Sequence, residues 1–287
     1  MSDAPPILQV RNLCKHFPLK TGGVLKAVDG VSFDLRAGQT LGIVGESGSG
    51  KTTAARCILR ALQPTAGSAL FHNNGRTTDL ATIAERSLKP LRREMQMIFQ
   101  DPYSSLNPRM TVGEIVAEPL VIHGIGNRRQ RAEQVREMLE CVGLSPEHAG
   151  RYPHAFSGGQ RQRVGIARAL ILNPALVVAD ECVSALDVSV RARVLALLRD
   201  LQVRMRLTYI FVSHDLSVIR RICDHVLVMY KGRVMEQAPT EQLFACPRHA
   251  YTRVLLSAIP YPDPDRPLRP LRVADLTPAE LEPLPGK

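Results

Sequence analysis

The chain has 287 residues, 45% hydrophobic and 22% charged, with mean hydropathy −0.06 and no tryptophan, an ordinary composition for a globular protein able to bury a sizeable core. Its net charge of +10 could attract nucleic acid or anionic headgroups, but the basic residues are dispersed, which favours a membrane-apposed or solvated face. No apolar run reaches the roughly 18 residues of a membrane span, Met1 to Pro6 lacks a secretory pattern, and six scattered cysteines without a CxxC pair argue for reduced thiols rather than a zinc or disulfide framework.

Strand-like alternation comes first, at Ile7–Val10, Val31–Leu35 and Thr40–Val44. The third strand runs into Gly45-Glu46-Ser47-Gly48-Ser49-Gly50-Lys51-Thr52, which satisfies the pattern GxxxxGK[ST]. Glycines let such a loop curl its N–H groups inward around phosphate oxygens. Lys51 supplies a point charge for the β- and γ-phosphates, and the Thr52 hydroxyl a ligand for Mg²⁺. A helix should start near Lys51, carry Ala54, Ala55, Ile58 and Leu59 on its apolar side, and end at Pro64 and Gly67; its N-terminus adds a positive end for an anion.

Met95–Phe99 reads as a short strand ending in Gln100. From about Asp101 to Phe156 the pattern is helical and charge-rich, as at Arg128–Leu139, and predicts an inserted helical subdomain. Ser157-Gly158-Gly159-Gln160 opens a helix through Val164, Ala167 and Leu170, with small residues that expose unpaired N–H groups at its start. Leu176–Ala179 and Tyr209–Val212 are continuously apolar, as parallel strands buried on both faces should be. The first ends in Asp180-Glu181, adjacent carboxylates that are costly at a buried strand end unless a cation or catalytic task occupies them. Val226–Tyr230, Lys231-Gly232 and Arg233–Met235 predict a hairpin. Eight of the last 28 residues are proline, which predicts an extended or disordered tail over 261–287.

A phosphate loop, Ser-Gly-Gly-Gln about a hundred residues later and an acidic-ended strand, in that order, resemble the ATP-binding-cassette ATPases. The resemblance implies an α/β P-loop NTPase core with an N-terminal antiparallel β subdomain and the inserted helical one at about 101–156. It implies ATP and Mg²⁺ as cofactors and nucleotide contacts from Gly45 to Thr53. Asp180 and Gln100 join Thr52 around the metal, and Glu181 polarises the attacking water as general base. His214 contacts the γ-phosphate, Ser157–Gln160 reach a partner's ATP, and Ser184–Asp187 cross the dimer interface. Phe17 stands where an aromatic ring meets adenine. Three departures are visible: Cys182 in place of the usual proline after the glutamate, Phe156 in place of leucine before the serine, and Ala250 in place of proline. Cys182 leaves the charge pair intact and should alter loop rigidity more than chemistry.

Gln100–Arg109 and Pro247–Pro260 narrow the resemblance to the ATP-binding subunits of dipeptide, oligopeptide and nickel importers, over residues 7–260 with an importer-type extension at about 238–260. The implied partners are two membrane permeases, a second ATPase subunit (a paralogue or this chain) and, through the permeases, an extracytoplasmic solute-binding protein, at the cytoplasmic face of the membrane and without nucleic acid. Relatives with an iron–sulfur cluster carry a cysteine-rich tail, whereas only Cys246 lies in that region, so no cluster is expected. Two alternatives stay open: an ATPase accessory to a soluble enzyme complex of the phosphonate-utilisation type, and one acting on nucleic acid.

Overall fold

The computed structural model describes residues 5–20, 22–101, 105–259 and 271–284. Pro102, Tyr103 and Ser104 of the segment after Gln100, and residues 260–270 and 285–287 of the proline-rich stretch, lie outside them. The chain forms two compact units, one of residues 1–82 with 210–287, the other of residues 83–209.

In the first unit, β1 (Leu8–Pro18) and β2 (Val24–Leu35) pair antiparallel, with register shifts between Val10 and His16. Leu8, Val10 and Leu13 face Val31, Phe33 and Leu35 in the core. After β3 (Thr40–Val44) and α1 (Lys51–Ile58), strands β4 (Ala66–Asn73) and β5 (Arg76–Asp79) complete a sheet of order β2-β1-β4-β5. Helix α1 stops at Ile58, short of the predicted Pro64, because Leu59 leaves helical geometry and Arg60 turns left-handed at φ 56°, its guanidinium held by Leu80 O at 2.8 Å.

The second unit contains α2 (Glu85–Glu94), β6 (Met95–Ile98), α3 (Val112–Ile122), α4 (Arg128–Cys141), α5 (Gly158–Leu170), β7 (Leu176–Asp180) and α6 (Val188–Met205). β6 and β7 pair in parallel. Helices α3 and α4 begin at capping boxes, Thr111 with Glu114 and Asn127 with Gln130, which satisfy N–H groups that a helix start leaves bare.

β8 (Thr208–Val212) returns the chain to the first unit, where α7 (Leu216–Ile222), β9 (His225–Tyr230), β10 (Arg233–Pro239), α8 (Thr240–Ala245) and α9 (Ala250–Ser257) follow. β9 lies parallel to β3 and antiparallel to β10, the expected hairpin. Within the stretch expected to be an extended tail, residues 271–284 instead carry two 3₁₀ turns. Their anchors are Leu271 N–H to Ser257 Oγ (2.9 Å), Leu284 N–H to Met235 O (3.3 Å) and an Arg233–Glu282 ion pair (3.0 Å). Proline at the first position of the turn Pro278–Leu281 has no N–H to leave unsatisfied, so here it starts a turn rather than preventing one.

Candidate active site

In the first unit, β3 is buried along its whole length and delivers the chain to Gly45. Gly45 sits at φ 150° and Gly50 at φ 98°; a Cβ on the first would strike Met229 O of β9, and on the second Ala27 O of β2. The loop is therefore wedged between two strands, and only glycine fits those two places. Gly232 N–H donates to Ser49 O at 3.0 Å and ties the β9–β10 turn to the loop. Lys51 opens α1 with 5% of its surface exposed, and its ammonium donates to Gly45 O (2.8 Å), Glu46 O (2.7 Å) and Ser49 Oγ (3.4 Å). A buried cation is thus held at the loop it closes. Thr52 and Thr53 follow, half-buried, and the first turn carries no acidic residue. The helix's positive end is left for an anion.

Phe17 is half-buried, and the Lys15 ammonium lies 4.9 Å from its ring centroid, so one ring face already has a cation against it. His214 is exposed after β8, beside a turn in which Asp215 N–H donates to Ser213 Oγ at 3.0 Å.

In the second unit, β7 ends at Asp180, which is 3% exposed. Glu181 follows at φ 44°, a left-handed conformation a β-carbon disfavours, and Ser184 donates to its carbonyl from both Oγ (2.8 Å) and N–H (3.0 Å). Backbone strain of this kind persists where surrounding bonds enforce it. Gln100 Nε2 donates to Glu181 Oε2 at 2.8 Å, bringing together two predicted site residues 81 positions apart. Arg168 on α5 donates to Ser105 O at 2.6 Å and lies 5.7 Å from the Phe99 ring, bracketing the segment that carries Gln100. Cys182 is buried, and burial pushes its thiol up to about 12, the neighbouring Asp180 carboxylate adding to the shift.

Ser157 caps α5 in a reciprocal box: Ser157 N–H to Gln160 Oε1 (2.9 Å) and Gln160 N–H to Ser157 Oγ (3.4 Å). Two of the amides expected to be bare are therefore satisfied, and Gly158 and Gly159 hold the first two helical positions, where the helix itself offers no acceptor. A Cβ on Gly159 would collide with Val190 Cγ1, so glycine lets the start of α6 approach. Both segments line a cleft of about 320 Å³ with Arg163 and Arg193. Asp187, at the N-cap of α6, is exposed and makes no capping bond.

Two features escape sequence reasoning. Tyr251 of α9, legible only as an aromatic after His249-Ala250, is buried in the first unit and accepts the Glu46 N–H at 3.1 Å. Cys14, His16 and Asp29 bring one potential metal-ligand atom each within 4.8 Å of one another, a grouping across two strands that no CxxC search detects. The Asp29 carboxylate is already met by His16 (3.3 Å) and Lys26 (3.5 Å). A larger cleft of about 920 Å³ in the first unit, lined among others by Cys14, Arg233 and Leu284, includes none of residues 45–52. Phosphate loops grip ligands by backbone at a rim, so volume is a poor guide to this chemistry.

The sequence model of the family described as "ABC transporter" matches residues 28–184, and that described as "Oligopeptide/dipeptide transporter, C-terminal region" matches residues 235–286. A Brucella ovis protein named for ATP binding in peptide import is 56% identical over 260 residues, 91% of this chain and 80% of that protein. A glutathione import ATP-binding protein of Salmonella typhimurium is 52% identical over 277 residues, 94% of this chain and 44% of that protein. Among solved structures, a dimeric ATP-binding cassette in a post-hydrolysis state bound to ADP and Pi superposes with a TM-score of 0.72 at 28% identity, covering 81% of this chain and 98% of that one. A cassette of a Clostridium perfringens ABC transporter complex gives 0.72 at 27% identity, over 85% and 92%.

Proposed function

The chain belongs to the ABC transporter family and hydrolyses ATP, and from that premise we propose that it energises import of di- and oligopeptides through partner permeases. The observation that carries the nucleotide reading is the phosphate loop itself. It is a loop that needs glycine at two points to fit against the neighbouring strands, with a buried ammonium donating to two of its carbonyls. A polyphosphate is the ligand that such a loop suits. The match of residues 235–286 supports the importer class, and the names of the relatives support peptides, glutathione being itself a tripeptide.

Residues 45–53 hold the phosphates of ATP, Lys51 contributing fixed charge and Thr52 and Asp180 the protein oxygens for Mg²⁺. Glu181 is the general base and Gln100, bonded to it, orients its carboxylate and senses the metal. His214 faces the terminal phosphate and Phe17 the adenine. Ser157–Gln160 serve a second subunit's nucleotide, with Asp187 at the interface. ATP supplies the phosphoryl group whose hydrolysis separates the two subunits. The subunit works at the cytoplasmic face, beneath two permeases served by an extracytoplasmic binding protein; no helix among the described residues is long and apolar enough to cross a membrane.

Glu181→Gln tests this reading. It keeps the Gln100 contact sterically but removes the base. Hydrolysis should fall by at least about 100-fold, and light scattering with ATP should give twice the monomer mass. Membranes from the native host, solubilised with this variant and ATP, should yield two permeases and a second ATPase on affinity purification. A monomer under ATP, or an eluate of soluble enzymes, would overturn the closure and transport readings respectively.

A further inference from the structure

Tyr251 belongs to the C-terminal segment, yet its hydroxyl is bonded to the loop 205 positions upstream, accepting the Glu46 N–H at 3.1 Å. Its side chain is wholly buried, with the Tyr230 ring of β9 at a centroid distance of 4.6 Å. The same stretch of loop is gripped from its other side: Gly45 O and Glu46 O accept from the Lys51 ammonium at 2.8 and 2.7 Å. Met229, next to Tyr230, presents the carbonyl against which Gly45 is wedged. The Glu46 side chain is exposed, so this position is held by its backbone.

Resting on the reading of residues 45–52 as the phosphate loop, we propose that Tyr251 is a positioning residue for nucleotide binding. Its hydroxyl fixes the Gly45–Glu46 peptide and so the Gly45 carbonyl, one of the two that place the Lys51 ammonium. When the part-buried Glu46 N–H loses this acceptor it turns towards another, water included, and the Gly45 carbonyl of the same peptide moves with it. Burial pushes the Tyr251 phenol up to about 12, which keeps it a neutral hydroxyl at working pH.

The same bonds continue away from the loop. Tyr251 N–H donates to His249 Nδ1 at 3.0 Å, capping α9, and His249 Nε2 lies 2.9 Å from Glu282 O. With Nδ1 accepting, the imidazole proton is on Nε2 and is donated to that carbonyl; one tautomer serves both contacts. His249 and Arg248 N–H groups donate to the buried Glu236 carboxylate, each at 3.0 Å. One imidazole therefore links residues 271–284 to the helix that braces the phosphate loop. The C-terminal region thus braces the loop through His249 and Tyr251.

The test uses the full chain, a fluorescent ATP analogue and steady-state hydrolysis. Tyr251→Phe keeps the ring and removes the hydroxyl. The Kd of the analogue and KM for ATP should both rise about five-fold, the factor one hydrogen bond of ~1 kcal/mol confers, with kcat within about twofold. His249→Ala should raise KM in the same direction and add little in the Tyr251→Phe background, because the two act in series. Unchanged KM and Kd, a loss confined to kcat, or full additivity of the two changes would overturn the proposal. Lys51→Ala separates the failures: if it abolishes binding while Tyr251→Phe does nothing, the phosphate loop stands and the brace falls. If Lys51→Ala binds normally, both fall.

Discussion

Lys51 and Cys182 show how burial gives opposite meanings to two polar side chains. The Lys51 ammonium is nearly enclosed but bonded to two carbonyls and a hydroxyl, which offset its desolvation and hold it at the loop. Charge-assisted bonds contribute about 1.5–3 kcal/mol each, so Lys51→Ala should weaken ATP binding on the order of 100-fold, measured by calorimetry. An affinity within threefold of wild type would remove Lys51 from its assigned role. Cys182 is enclosed with only a backbone hydrogen bond to offset its desolvation, which still raises its thiol to about 12, and it behaves as a small apolar group rather than a nucleophile. Cys57 and Cys223 are buried as well, whereas Cys141 and Cys246 are exposed. Iodoacetamide at pH 8 should accordingly label Cys141 and Cys246 in the native protein, and all six cysteines once it is unfolded. Native labelling of Cys182 would mean that the loop after Glu181 opens.

Among the elements, the loop between β3 and α1 is held by steric necessity that a glycine pattern only hints at. Gly48 and Gly50 both have positive φ, 79° and 98°, but a Cβ meets nothing within 4 Å at Gly48 and meets Ala27 O at Gly50. Gly48→Ala should therefore lose about 1 kcal/mol for the left-handed backbone alone, and Gly50→Ala at least about 3 kcal/mol in urea unfolding. Equal losses would show that close approach to β2 is not what demands glycine. The strands flanking the site were legible because β3, β7 and β8 carry continuous apolar runs inside strands that are buried along their whole length, a signature of burial on both faces. Helix α2 was not: it has Pro90 inside, one buried residue, Leu88, and otherwise reads as a charged loop. β4 and β5 were hidden by Gly67 and by polar residues whose partners, Asp79 with the Ala69 and Ala81 N–H groups, are long-range or local bonds rather than periodicity. The Gln100–Glu181 contact could be anticipated only from family resemblance, and Tyr251 not at all, since no local pattern reports a hydrogen bond across 205 residues.

At the scale of the whole molecule, both units bury acids that ionise only in alkali. In the first unit, burial pushes Cys57 to about 11, Tyr251 to about 12 and Cys223 well above its ordinary value; in the second it raises Cys182 to about 12 and pushes the Tyr209 phenol up as well. Each of these groups holds its proton more tightly folded than unfolded. Their contribution is fully present below the unfolded values, 9.0 for the thiols and 10.0 for the phenols, and is lost as pH rises toward the folded ones. Between about pH 9 and 11 the unfolded chain binds fewer protons, so unfolding becomes easier as pH climbs, by up to ~1.4 kcal/mol per pH unit for each group fully in its window. The urea midpoint should hold steady from pH 7 to 8.5 and then fall steeply. Replacing Cys182 by alanine should flatten that fall although it removes a buried side chain, because the alanine has no proton to lose. If the slope above pH 9 is unchanged in Cys182→Ala, the thiol after Glu181 is solvated in the native protein, and the dry seating of that loop must be given up.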